Sequence, residues 1–191
     1  MGKVILISGS PSISSRTTGV LDYAERLVRE AGHTAQWIHV RELPAEDLLH
    51  AKFDSPAILE ANRLVEEADA VILATPVYKA SYTGVLKAFL DLLPQKGLAG
   101  KIVLPLAVGG TIAHLLAIDY ALKPVLSALG SPTLLGGVFL LDSQIQRTED
   151  GFELNGEIAA RLKEALSEFN SEVHWHTRKY SAAERRGSSV G

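Results

Sequence analysis

The chain has no cysteine, and that absence removes several chemistries at once. Disulfides, thiolate nucleophiles and Cys-ligated metals are excluded, and the redox compartment is left open. Excess charge is also missing: the formal net charge is −3, which does not suggest a nucleic-acid surface. No apolar run reaches membrane-spanning length. The longest candidate, His114 to Leu129, contains Asp119, Lys123 and Pro124. No N-terminal signal pattern is seen, so a cytoplasmic location without membrane association is expected. Two nucleotide signatures are lacking as well. There is no Gly-x-Gly-x-x-Gly turn and no Gly-Lys-Ser/Thr phosphate loop.

What remains is ample core material. The 191 residues are 47% hydrophobic and 21% charged, enough for one well-buried domain. Short unbroken apolar runs occur at Val4–Ile7, in "DAVILATP" (Asp69–Pro76) and in "KIVLPLAV" (Lys101–Val108). Such runs fit strands buried on both faces. Thr34–Val40 and Leu134–Leu140 read as two more strands. Helix spacing occupies Thr17–Ala31, Pro56–Glu67, Gly84–Leu93, His114–Leu129 and Gly156–Val173. Strands alternating with helices predict an α/β fold, a doubly wound five-stranded parallel sheet in the flavodoxin-like order 2-1-3-4-5. The domain is expected over residues 1–176. Residues 177–191 read as a polar, basic, mobile tail; from Arg178 on it carries four Lys/Arg against one Glu.

A doubly wound sheet binds ligands beyond the C-terminal ends of its strands. Three loops lie there. The first, "GSPSISSRTT" (Gly9–Thr18), runs from a strand into a helix N-terminus, where free backbone N–H groups favour anions. Ser10, Ser15, Thr17 and Thr18 offer hydroxyls to a phosphate and Arg16 offers charge. Ser12 and Ser14 shape the loop or join the contacts. A terminal monophosphate suits this hydroxyl-rich nest better than a pyrophosphate. The alternative is a serine-rich loop that only caps the helix. The second loop, "TPVYKASYTG" (Thr75–Gly84), has Val77 and Tyr78 to frame a flat ligand and Lys79 to face an anion, while Tyr82 reads as packing.

The third loop opens "VGGTIAHLLAIDYALKPVLSAL" (Val108–Leu129). Gly109 and Gly110 can bring backbone close to a ligand, and Thr111 can cap or donate. Pro124 leaves the Tyr120 carbonyl without its usual partner. Either an ordinary proline kink or a π-bulge, bonded from Val125 to Tyr120, would answer this. No metal site is expected, since His114, His174 and His176 lack partners at ligand spacing.

Taken together, these blocks resemble the NADPH-dependent FMN reductases of bacterial alkanesulfonate monooxygenase systems. The resemblance runs from "GSPSISSRTT" through "FDSPAI", "ATPVYKASYTGVLKAFLDLLP" and "KIVLPLAVGGTIAHLLAIDYALKPVLSAL" to "GVFLLDSQ". It implies a reductase that treats FMN as an exchangeable substrate, takes its electrons from NADPH and supplies reduced flavin to a partner FMN-dependent alkanesulfonate monooxygenase for sulfur acquisition. Ser10, Arg16, Thr17 and Thr18 would hold the phosphate. Pro76, Val77, Tyr78 and Lys79 would line the isoalloxazine ring, and Gly110 and Thr111 would approach it from the third loop. Tyr120 matches the inserted tyrosine that marks a π-helix at a homotetramer interface and governs flavin exchange without acid–base chemistry.

The protein would supply position and electrostatics for hydride transfer rather than a catalytic triad. N–H groups of Gly109–Thr111 are expected at the flavin edge where charge builds on reduction. Two alternatives share the fold: a quinone, azo or chromate reductase with resident FMN, and a flavodoxin-type electron carrier. Carriers are usually strongly acidic, and this chain is near neutral.

Overall fold

The computed structural model describes residues 1–149 and 151–187. Strand β1 (Lys3–Ser8) leads into helix α1 (Arg16–Glu30), then β2 (Thr34–His39). Ser15 starts α1 as its cap: its Oγ accepts the Thr18 N–H at 3.1 Å. Gly32, at φ +82, ends the helix; Gly32 N–H bonds Arg29 O and His33 N–H bonds Val28 O. A 3₁₀ turn at Val40–Glu42 and the short α2 (Ala45–Leu49) follow. Then come α3 (Pro56–Glu67), β3 (Ala70–Pro76), α4 (Gly84–Leu90) and β4 (Ile102–Gly109).

The parallel sheet has the order β2-β1-β3-β4, continued at the far edge by two short segments, β5 (Thr133–Leu134) and β6 (Val138–Leu141). The expected order 2-1-3-4-5 is therefore present, but the fifth strand is split instead of running through Leu134–Leu140. Pro105 supplies the reason. β5 pairs with Ile102–Val103 and β6 with Leu106–Gly109, so the break falls opposite Leu104 and Pro105. Proline has no N–H to give to a ladder. Gly137 carries the chain past this point at φ +84; a Cβ there would lie 2.6 Å from the Pro105 carbonyl oxygen.

Alternate residues of each central strand feed opposite cores, as a period of two requires. Val4, Leu6, Ile72, Leu104 and Leu106 pack beneath α1 and beneath α6 (Gly156–Gly187). Ile5, Ile7, Val71, Leu73 and Val103 face α3, α4 and α5 (Lys123–Ala128). Truncating one of these buried leucines to alanine costs about 2–5 kcal/mol.

Three further boundaries differ from the sequence pattern. Helix α4 ends at Leu90, three residues before Leu93. Helix α6 continues past Val173 to Gly187, because nothing between them breaks a helix. The expected helix His114–Leu129 is in three pieces: a 3₁₀ turn at Ile112–His114, a π turn at Ile118–Leu122, and α5. The wide bond of the π turn runs from Lys123 N–H to Ile118 O, two residues upstream of the Val125–Tyr120 bond considered from sequence. The proline ring crowds the carbonyl four residues before it, so the helix widens in the preceding turn. One antiparallel pair, β7 (Ile145–Thr148) with β8 (Gly151–Leu154), has no counterpart in the sequence pattern. Among the described residues, no helix is long and apolar enough to cross a membrane.

Candidate active site

The C-terminal ends of β1, β3 and β4 open onto one cavity of about 320 Å³. Its first wall is the Gly9–Ser15 loop. Ser10 is buried, and its Oγ accepts the Ser12 N–H at 3.2 Å, which curls the loop back on itself. Ser15 holds the helix start, so the following N–H groups gather at one spot. Arg16 stands at that helix start, and its Nε donates to Ile145 O at 3.1 Å. Thr17 is buried and faces the same space.

Thr83 fastens the second wall to the first. Its hydroxyl donates to Gly9 O at 2.6 Å and accepts the Leu86 N–H at 3.3 Å, capping α4. Thr75 Oγ1 accepts the Thr83 N–H at 3.2 Å. Between them, Tyr78 and Ser81 exchange backbone bonds of 2.8 and 3.1 Å across Lys79 and Ala80, whose φ values are +50 and +66. Tight turns of this sense usually use Asn and Gly, and each substituted left-handed residue costs about 1–2 kcal/mol. The turn places Tyr78, half of whose surface is exposed, on the cavity rim. Tyr82 packs into the α3–α4 core, where burial raises its phenol above the usual range.

Val108, Gly109 and Gly110 form the third wall. The two glycines differ. A Cβ on Gly109 would lie 2.7 Å from Phe139 Cζ, so that glycine makes room for a neighbouring ring and not for a ligand. Gly110 has its nearest neighbour, Asp142 Oδ2, at 3.7 Å from the same position and is open.

Nine of the residues expected at the site border the cavity: Ser10, Ser15, Arg16, Thr17, Pro76, Val77, Tyr78, Gly109 and Gly110. Three do not. The Thr18 hydroxyl pairs with Ser15 Oγ at 3.0 Å, Thr111 caps the 3₁₀ turn through Ala113 N–H, and Lys79, in the left-handed region, is exposed. Tyr120 also lies off the cavity, 79% exposed on the π turn. The π turn still touches the site indirectly. Ile118 shares an apolar cluster with Ala107 and Phe139, and Val77 packs against it.

Sequence reasoning missed Asp142, Arg147 and Phe152, which complete the cavity. The last two ride on the β7–β8 hairpin. The sequence carries a weak signal: the Asp-Gly dipeptide at 150–151, a pair common near hairpin turns, precedes the alternation of Phe152 and Leu154.

This geometry fits a flat ligand carrying one terminal phosphate: a hydroxyl and N–H nest at one end, a tyrosine and glycine backbone at the other. Comparison with known proteins agrees. The profile of NADPH-dependent FMN reductases matches residues 2–146, more than half of the chain. The chain belongs to the NADPH-dependent FMN reductase family. An FMN reductase (NADPH) of Pseudomonas putida is 50% identical over 165 residues, covering 86% of this chain and 81% of that protein. The Escherichia coli K12 FMN reductase (NADPH) is 46% identical over 172 residues, 90% of each. Among solved structures, the apo form of the NADH:FMN oxidoreductase EmoB superposes with a TM-score of 0.82 at 38% identity, covering 91% of this chain and 90% of that one. The chain is thus an FMN reductase by family, with FMN and NADPH as its reactants.

Proposed function

We propose that the reductase holds FMN with its phosphate in the Ser10–Thr17 nest and its ring between Tyr78 and the Gly109–Gly110 wall, and releases it after reduction. The observation that carries this reading is the single cavity joining a capped helix N-terminus, Arg16 and the five hydroxyl residues Ser10, Ser12, Ser14, Ser15 and Thr17 to the aromatic rim. A flavin bound there supplies the hydride-accepting chemistry. The chain supplies the rest. Ser10, Ser15, Thr17 and Arg16 orient the phosphate. Val77, Tyr78 and Gly110 fix the ring plane. The backbone N–H of Gly110 donates to the ring edge where negative charge builds. Thr18, Lys79 and Thr111 shape these loops from outside the cavity.

The reduced flavin then serves an FMN-dependent alkanesulfonate monooxygenase in sulfur acquisition. Support comes from the family membership and from the resemblance of the sequence blocks to the reductases of such systems. Release requires only moderate affinity: a micromolar dissociation constant is about −8 kcal/mol. Tyr120 acts as the exchange gate. Its π turn packs through Ile118 toward Val77, so a shift of the turn reaches the ring wall. The exposed stripe of Ile112, Leu115, Leu116 and Tyr120 is covered in a homotetramer. A cytoplasmic location fits this role.

The test is NADPH and NADH oxidation with FMN, FAD and riboflavin as acceptors. FMN with NADPH should give the highest kcat/KM. Failure to oxidise either donor with any free flavin would instead favour a flavodoxin-type carrier.

A further inference from the structure

We propose that Arg147, delivered by the β7–β8 hairpin, is a second cation of the phosphate pocket. This rests on the flavin reading above. It is not supplied by the family match, which ends at residue 146.

The hairpin and the first loop are joined twice, in opposite directions. Arg16 reaches from α1 to the hairpin and donates its Nε to Ile145 O at 3.1 Å. Arg147 reaches from the hairpin to the loop and donates a terminal nitrogen to Ser14 Oγ. Arg147 and Phe152 stand opposite each other in the hairpin register. The guanidinium lies 5.6 Å from the centre of the Phe152 ring. That position suits a cation–π contact, which steadies the head group without using its N–H donors. Phe152 is in turn seated on α1 at Gly19, where a Cβ would lie 2.5 Å from the Phe152 Cβ. The cavity side of the hairpin therefore has a fixed placement against the helix that opens the phosphate nest.

Charge decides what this placement is for. Arg16 and Arg147 both line the cavity, with Asp142 as the one carboxylate among its lining residues. Among the described residues, neither arginine belongs to an ion pair; the nine ion pairs involve other groups. Two guanidiniums that form no ion pair among the described residues, set among serine and threonine hydroxyls, match a phosphate dianion. Charge-assisted bonds to phosphate are about twice as strong as neutral ones. A purely structural Arg147 would need only its bond to Ser14, and a neutral side chain could provide that.

Equilibrium titration of flavin fluorescence tests the assignment on four proteins: the parent, Arg147→Ala, Arg147→Lys and Arg16→Ala. Arg147→Ala should weaken FMN about tenfold, or about 1.4 kcal/mol, and leave riboflavin unchanged. Arg147→Lys should recover part of the loss. Equal weakening of FMN and riboflavin, or no change in either, would overturn the assignment. The Arg16→Ala arm separates the two levels of the argument. If Arg16→Ala discriminates FMN from riboflavin and Arg147→Ala does not, only the role of Arg147 falls. If neither discriminates, the phosphate reading itself falls. A changed NADPH-to-NADH KM ratio in Arg147→Ala, with the FMN-to-riboflavin ratio intact, would place the arginine on the donor's 2′-phosphate and also overturn the proposal.

Discussion

The hydroxyl nest walls the cavity and the Ile112–Leu122 segment reaches it only through the packing of Ile118, and the two are built on opposite principles. In the nest, local bonds are closed. Ser15 caps its helix, Ser10 holds its own loop, and Thr83 ties the neighbouring loop to Gly9. Ser10 in the loop and Thr17 in the first turn of the helix are both buried. In the other segment the helix is interrupted twice and four apolar side chains point to solvent. A wide helical turn places a tyrosine outward while Ile118 and Leu122 on the same turn stay buried. The difference teaches how an enzyme can hold a flavin and still let it go. On the proposed function, affinity is concentrated where side chains fix the loop and leave the first helix N–H groups free for an anion, and exchange is left to a segment whose backbone is already loosened by Pro124.

The first way to break the comparison is at the nest. Arg16→Ala should weaken FMN about thirtyfold or more, since a charge-assisted bond contributes roughly 2–3 kcal/mol. Riboflavin should be nearly unaffected, as it lacks the phosphate; titration of both flavins checks this. An equal loss would remove the distinction between the two regions.

Breaking the loosened segment should have the opposite sign. Deletion of Tyr120 takes one residue out of the wide turn and should let it revert to an ordinary helix, and Tyr120→Ala removes the proposed gating ring alone; both should slow flavin release. The protein should purify yellow and reduce free FMN poorly. Colourless protein with full activity would mean that Tyr120 is an interface residue only.

A smaller effect sharpens the boundary between the regions. Gly109→Ala should lower thermal stability by about 1–3 kcal/mol, because its new Cβ meets Phe139. Gly110→Ala should leave stability nearly unchanged and act on FMN affinity, as its Cβ would point toward open space near Asp142. Denaturation curves and FMN titrations on the same two variants separate the predictions.

Most of the fold was legible because buried parallel strands announce themselves as unbroken apolar runs, as "KVILIS" and "DAVILATP" do. The first loop was legible for a related reason, since a strand running into a hydroxyl-rich helix start has few uses. Three features were not legible. The split fifth strand depends on Pro105 in the neighbouring strand β4, so a pattern read along one segment does not reveal it. The β7–β8 hairpin is short and polar, with only two apolar positions in its second strand. It is stabilised by contact with α1, and its arginine reaches the cavity across more than a hundred residues of chain. The roles of Gly109 and Gly110 look identical in sequence and diverge only through the ring of Phe139.

The central claim is that flavin passes through this site as a substrate. The most direct measurement is the initial-rate pattern of NADPH oxidation at varied FMN, on protein whose visible spectrum has been recorded after gel filtration. Colourless protein and intersecting double-reciprocal lines are predicted, as expected when both reactants must be bound together. A flavin spectrum that survives gel filtration, with parallel lines, would contradict the claim and identify a reductase with resident FMN.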